Sequence, residues 1–370
     1  MSNFQRDREF ETMKKIDVML DLLPEFVDVF FIGIAQNTST LTRLNYAYDL
    51  KIFFEYLINF KRSFDGVTMR KITLSMLDEV TTVDIEKFLN HVSIYESDDK
   101  KVISNGEKGK ARKLASIRSM YKYFFNKDMI STNAPSKVAV PKLHSKEIIR
   151  LEVDEVVKIL NLIESGVGLS DKQKDYHKNN KMRDMAMVSL FLGTGIRISE
   201  LVGINMNDID FDQQAFTVTR KGGNRTTLYF SEEILPHLKR YAIYRRYCIM
   251  KNPDIQPFDR EAFFVVDKTI GEDKENYMNC ARISVRAVQN LVKKYAKIVN
   301  PLKNITPHKL RSTFGTNLYR ETNDIYMVAD VLGHKDVNTT KKHYAAISED
   351  QRRIAVKSVK LRDDDNDDKV

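Results

Sequence analysis

The chain has 370 residues, 42% of them hydrophobic, and a formal charge of +9 with a pI near 9.2. That length accommodates two domains with sizeable cores. Two cysteines, Cys248 and Cys280, without CxxC spacing exclude a disulfide framework and a zinc ribbon, and apolar runs as short as "VDVFFIGIA" exclude a membrane span.

The N-terminus "MSNFQRDREFETMKKIDVML" is charged from its start and lacks the apolar core of a secretory signal, so a reducing cytoplasm is the expected compartment. Residues 1–37 are expected to form a helical extension, with Leu20, Leu22, Phe26, Phe30 and Phe31 as its packing residues. "TSTLTRLNYAYDLKIFFEYLINF" follows, with Thr38 or Ser39 as the cap and Leu41, Leu44, Tyr48, Phe53 and Leu57 near helical spacing. "TTVDIEKFLNHVSIY" predicts a second helix through Ile85, Phe88, Leu89 and Val92. "EKGKARKLASIRSMYKYFFNKDMI" predicts a third, with Ala111, Leu114, Ala115, Met120, Tyr121 and Phe124 as its apolar face.

That third helix carries Lys108, Lys110, Arg112, Lys113, Arg118 and Lys122 with no acid between the first and the last. A solvated face usually mixes signs, so a single-signed run points to DNA phosphates. The overall charge agrees: the last ten residues, "LRDDDNDDKV", carry −3 and leave +12 on the rest. A surface that basic favours polyanions, nucleic acid above all. A chain that merely happens to be basic is the competing reading.

"NAPSKVAVPKLHSK" breaks the helical pattern with two prolines and lysines, which places a linker over residues 133–150 and the start of a second domain at Leu151. "ESGVGLSDKQKDYHKNNK" reads as a polar loop before a helix "MRDMAMVSLFLGTGIRISELVGI". "AFTVTR", a turn "KGGN" and "RTTLYF" read as a β-hairpin. Helices are expected from Glu232 to Met250 and from Ala281 to Val299, with a short strand "AFFVV" between them, and residues 361–370 form an acidic tail of disordered composition.

Four pieces of the second half carry chemistry. "TPHKLRSTFG" opens a helix with Thr306 as cap and Pro307 in the first turn, and sets His308 and Arg311 on one face beside the free amides of a helix start, a compact anion-binding surface. A core histidine and a surface ion pair would give the same pattern. In "VLGHKDVNTTKKHYAAIS", Gly333 can close a helix ending at Leu332, with His334 next and Tyr344 further on. A metal site of His308, His334 and His343 is disfavoured, since no carboxylate or thiolate stands beside them at ligand spacing. In "GTGIRISELVGI", Arg197 follows two glycines and Glu200 can hold a neighbouring cation or imidazole, with a buried Arg–Glu pair as the competing reading. Lys221 lies at the hairpin turn, from which a lysine reaches outward.

Arg197, Lys221, His308, Arg311, His334 and Tyr344, in that order, resemble the signature of the tyrosine recombinase (phage integrase) family. The resemblance covers most of the chain. It implies a mainly α fold with a small antiparallel β-sheet, arranged as a two-domain DNA clamp: a helical, SAM-like core-binding domain at 38–132 and a catalytic domain at 151–360. The N-terminal extension and the polar insert look like the Xer recombinases that act alone (XerS-like). One departure stands out: many Xer proteins place the tyrosine nine residues after the Gly-His histidine, and here that position is His343, with Tyr344 tenth.

The resemblance also implies the chemistry. Arg197 and Arg311 clamp the non-bridging phosphate oxygens, a task suited to the planar, permanently charged guanidinium. His334 adds a hydrogen bond, His308 is the candidate base for the Tyr344 phenol, and Lys221 is the general acid for the leaving 5′-oxygen. The product is a 3′-phosphotyrosyl linkage that another strand's 5′-hydroxyl reseals. No cofactor is expected: the sequence has no P-loop and no carboxylate pair for two metals. Expected partners are double-stranded DNA bearing a specific site, three further copies in a homotetramer on two duplexes, and a septal DNA translocase, with no membrane. The segment "SEDQRRIAVKSVK" is expected to dock on the neighbouring subunit. The expected role is chromosome dimer resolution, that is, chromosome partition at cell division. The alternatives are an integrase or excisionase of a mobile element and a DNA-binding module without catalysis.

Overall fold

The computed structural model describes residues 3–96, 100–142, 149–220, 223–250, 257–269, 278–334, 336–344 and 356. The chain divides into two compact units, Asn3–Lys146 and Glu147 onward.

The first unit is helical. Its helices are α1 (Asn3–Leu20), α2 (Phe26–Ile34), α3 (Thr40–Phe60), α4 (Leu74–Asp78), α5 (Thr82–His91), α6 (Glu107–Phe125) and the short α7 (Ala134–Lys137), with an antiparallel pair β1 (Ile94–Glu96) and β2 (Val102–Ser104) before α6. Ser39 caps α3 by accepting a hydrogen bond from the Thr42 amide. The face that α3 buries is Leu44, Ala47, Leu50, Phe53, Phe54 and Leu57, whereas Leu41 and Tyr48, expected inside, are exposed. On α6 the buried face is Leu114, Ile117, Met120, Tyr121 and Phe124; Ala115, expected on it, is exposed.

The N-terminal extension is no separate body. Ile16, Met19, Leu23, Val27, Phe30 and Phe31 enter the same core as Phe53, Phe88 and Phe124. The linker begins later than expected, because Ala134 and Val138 also close that core.

Thr81 and Asp84 form a reciprocal capping box at the start of α5, and Lys61 pairs with Asp84 at 2.8 Å. Burial raises the Asp84 pKa, but the hydrogen bonds from Lys61 and Thr81 outweigh it and hold the carboxyl below its ordinary value of 3.8. A depressed folded-state pKa gives stability that is complete above the unfolded value and lost as pH falls through the folded one. Asp84→Asn should therefore lower the melting temperature near neutral pH and flatten its decline below pH 3.8. Melting curves of both proteins across that range check this, and parallel curves would refute it.

The second unit contains α8 (Val153–Ser165), α9 (Asp171–Thr194), α10 (Ile198–Gly203), strands β3 (Ile209–Asp210), β4 (Ala215–Thr219) and β5 (Arg225–Tyr229), α11 (Leu235–Met250), α12 (Pro257–Glu261), strands β6 (Val265–Thr269) and β7 (Met278–Arg282), α13 (Val285–Val299), α14 (Pro307–Thr322), α15 (Ile325–Leu332) and α16 (Val337–Tyr344). β3, β4 and β5 form an antiparallel sheet in that order, with Ala215 opposite Tyr229 and Thr219 opposite Arg225. β6 and β7 form a second hairpin. The helix expected from Ala281 starts at Val285 instead, because Ala281 pairs with Val266 in that hairpin and Ser284 supplies the cap.

α9 is the central helix, burying Met185–Leu190 almost all round together with Phe191 and Thr194. Its first turns correct an expectation: the polar stretch read as a loop is helical from Asp171. Ser170 and Gln173 form a capping box there, and Asp171–Lys174 and Asp175–Lys178 pair along the exposed side at 3.2 Å each. Local pairs of this kind sustain a helix that has no apolar stripe. Further along, the 1%-exposed Asp184 accepts from the Tyr295 hydroxyl at 2.8 Å and lies 2.9 Å from Arg183 and 3.5 Å from Lys294. It fastens α13 to α9.

Candidate active site

The site is assembled at the C-terminal end of α15. A helix leaves its last four carbonyls without intrahelical donors. Here two are met by main chain: the Gly333 amide donates to Asp330 at 2.8 Å and the His334 amide to Ala329 at 2.9 Å. This double bond pattern needs a left-handed residue just past the helix, and Gly333 has φ +61°. The next three carbonyls are each taken by an arginine from a different element. Arg220, just after β4, donates through Nη2 to Val331 at 3.2 Å. Arg311 of α14 donates through Nη2 to Leu332. Arg197 donates through Nη2 to Gly333 at 2.8 Å.

Carbonyls at a helix C-terminus carry partial negative charge, which favours cations there by about 0.3–1 kcal/mol each. The arrangement therefore lets three guanidiniums approach one turn despite their mutual repulsion. Arg197 is the N-cap residue of α10, and the buried Glu200 holds it twice, accepting from its amide at 2.9 Å and from Nη1 at 2.8 Å. Arg197 itself stays about a third exposed. Arg311 is 6% exposed, and its Nη1 also donates to the Gly195 carbonyl at 2.5 Å. Gly195 ends α9 at φ +60°, where a Cβ would stand 2.5 Å from Phe314 and 2.8 Å from Leu332. Only glycine lets α9, α14 and α15 close this tightly.

His308 lies exposed in the first turn of α14, one turn before Arg311. Pro307 occupies the first helical position as expected, but Thr306 makes no side-chain cap. His334 follows Gly333, and its Nδ1 shares a hydrogen bond of 2.7 Å with the hydroxyl of the fully buried Thr340 on α16. His343 and Tyr344 lie in the last turn of α16, their side chains outside the described residues. Lys221, the "SEDQRRIAVKSVK" segment apart from Val356, and the acidic tail also lie outside them. The fold thus gathers Arg197, Arg311 and His334 around one turn with Glu200 behind, and it adds Arg220, which sequence reading did not single out.

The basic helix is α6, and two of its expected DNA contacts are corrected. Lys113 is 3% exposed, turned inward 3.6 Å from the buried Asp49. Arg118 is spent on the carbonyls of Pro135, Ser136 and Val138 around α7. Arg112 reaches Asp49 at 2.5 Å while remaining half exposed. Lys108 and Lys122 are exposed and Lys110 is half-buried.

A family model described as "Phage integrase family" matches residues 150–351, the span that holds the whole cradle. The chain belongs to the phage integrase family. It is a tyrosine recombinase, an enzyme that cuts and rejoins DNA at specific sites. Among its relatives is the tyrosine recombinase XerC of Caldanaerobacter subterraneus subsp. tengcongensis, 32% identical over 344 residues that cover 90% of this chain and 85% of the relative. Another is the tyrosine recombinase XerS of Streptococcus equi subsp. zooepidemicus, 28% identical over 364 residues, covering 92% and 97%. Among solved structures, the XerH site-specific recombinase bound to palindromic difH substrate superposes with a TM-score of 0.60 at 17% identity, over 87% of this chain and 81% of that one. The Tn1549 transposon integrase in complex with circular intermediate DNA does so at 0.59 and 18%, over 89% and 98%. These likenesses establish that the recombinase shares their fold.

Proposed function

We propose that this recombinase cleaves each strand through Tyr344 and serves in resolving chromosome dimers. The observation that supports the site assignment most is the convergence of Arg197 and Arg311 on successive carbonyls of the turn that carries His334. In this reading the two guanidiniums bind the non-bridging oxygens of the scissile phosphate and stabilise the charge that grows on them, a contribution of about 3–4 kcal/mol for a preorganised donor. His334 donates a further hydrogen bond. His308 takes the proton of the Tyr344 phenol, whose unperturbed pKa near 10 keeps it protonated at neutral pH. The phenolate oxygen bonds to phosphorus, the P–O5′ bond breaks, and the 5′-oxygen takes its proton from Lys221. Reversal by a 5′-hydroxyl of another strand reseals the backbone with no external energy source.

Double-stranded DNA is the partner. Two duplexes require four protomers, and we place Lys108, Lys110, Arg112 and Lys122 of α6 along the phosphates, with the two units closing around the duplex as a clamp. The curated relatives named as Xer recombinases favour chromosome resolution over a mobile element, and a septal DNA translocase is then the partner to look for. A cytoplasmic location agrees with this; no helix among the described residues is long and apolar enough to cross a membrane.

The test is a nicked suicide substrate carrying a site selected from random duplexes by binding to the chain. Wild type should accumulate a covalent adduct and Tyr344→Phe none, with specific DNA binding retained. An adduct in the variant would remove Tyr344 from its role, and DNA binding without an adduct in wild type would favour a non-catalytic protein.

A further inference from the structure

The third arginine at the α15 end has a different attachment from the other two. Arg220 sits where β4 leaves the sheet, and its main chain is held on both sides: its amide donates to Asn224 at 2.8 Å and its carbonyl accepts from Gly223 at 3.0 Å. Its guanidinium crosses to the other side of the site. Nη2 reaches the Val331 carbonyl, and the group lies so close over Gly333 that a Cβ there would stand 1.7 Å from Nη1. Nε is enclosed, with no acceptor among the described residues. The Arg220 guanidinium is half-buried and lies on main chain contributed by another segment. It is well placed to hold two pieces of chain together.

We propose that Arg220 is a positioning residue for strand cleavage, pinning the base of the β4–β5 hairpin to the end of α15, whose carbonyls orient Arg197 and Arg311. This role rests on the proposed function, in which Lys221, next along the chain, protonates the leaving 5′-oxygen. The acid and the phosphate clamp belong to different segments, and a displacement of about 1 Å between reacting groups costs on the order of 10²-fold in rate. Arg220 spans the gap between those segments. Its neighbour Gly333 is then required twice over, for its left-handed backbone and for the space the guanidinium fills.

Leaving-group chemistry separates this role from its rivals. Three nicked substrates carry the selected site: one with the ordinary phosphodiester, one with sulfur in place of the bridging 5′-oxygen, and one with a neutral methylphosphonate at the scissile position. When the P–S bond breaks, the thiolate departs without needing a proton. Arg220→Ala should cleave the ordinary substrate about 10²-fold slower than wild type. It should cleave the sulfur substrate close to the wild-type rate, and the methylphosphonate should bring no recovery. Arg220→Lys, which keeps a donor for Val331, should show a smaller loss with the same sulfur rescue, and it carries the comparison if the alanine variant melts early.

A wild-type rate on the ordinary substrate overturns the proposal. So does an equal defect on oxygen and sulfur, which would mean that Arg220 does not act through the acid, and so does rescue by methylphosphonate, which would make Arg220 a direct charge partner of the phosphate. Failure of wild type to form any adduct is a separate outcome: it sinks the recombinase reading and this proposal with it.

Discussion

Arg311→Ala should reduce the rate of covalent adduct formation by about 10²–10³-fold while changing affinity for the DNA site much less. The expected size is that of removing one preorganised donor from a developing oxyanion. Its basis is burial: Arg311 is 6% exposed and fixed by the carbonyls of Gly195 and Leu332, so its guanidinium is held in one orientation before DNA arrives. The variant should also be less stable, since two carbonyls lose a charged donor, at about 1–3 kcal/mol for each polar group left buried and unpaired. Arg311→Lys should recover little of the rate, because one ammonium cannot serve both carbonyls and a phosphate oxygen in the geometry of a fork. Single-turnover cleavage of the suicide substrate, with melting curves alongside, measures both effects. Unchanged cleavage in the alanine variant would dismiss Arg311 from the phosphate.

The second large effect concerns stability. Asp184→Ala should destabilise the second unit by about 3–5 kcal/mol, the usual result of stripping the partner from buried charge. Asp184 serves Arg183, Lys294 and the Tyr295 hydroxyl at once. Burial already holds the Lys294 ammonium below the usual lysine range, and Asp184 only partly offsets that. Adding Lys294→Met to the alanine variant should therefore return part of the loss, because it removes the stranded cation. Hydrogen exchange of α9 and α13 peptides reads this unit separately from the other. Faster exchange confined to α1–α6, or none at all, would contradict the assignment of Asp184 as the fastener between α9 and α13.

What the sequence made legible follows from how local each signal is. The Gly333 stop after α15, the hairpin around the paired glycines and the Arg197–Glu200 pair depend on residues a few positions apart, and each appears in the structure where the spacing put it. The α6 charges were only half legible. Lys113 turns inward because Asp49 is buried opposite it on α3, and Asp49 lies too far back in the chain for any helical period to reveal it. The early turns of α9 were misread because periodicity looks for an apolar stripe, whereas Ser170 and Gln173 start that helix through polar side chains. Arg220 is invisible to spacing for a third reason: its partners are a carbonyl and the bare Cα of a glycine, and neither is written as a side chain.

Main-chain acceptors govern how the enzyme tolerates change. The acceptors that orient the three arginines at the end of α15 are main-chain oxygens of Val331, Leu332 and Gly333. Replacing the side chain at 331 or 332 cannot delete an oxygen that every amino acid brings with it. Heritable damage to the cradle must instead come through whatever bends the peptide path, which concentrates the risk on Gly195 and Gly333, the two left-handed positions. Natural variants of this enzyme should accordingly drift at the half-buried 331, stay apolar at the buried 332 and stay constant at the glycine.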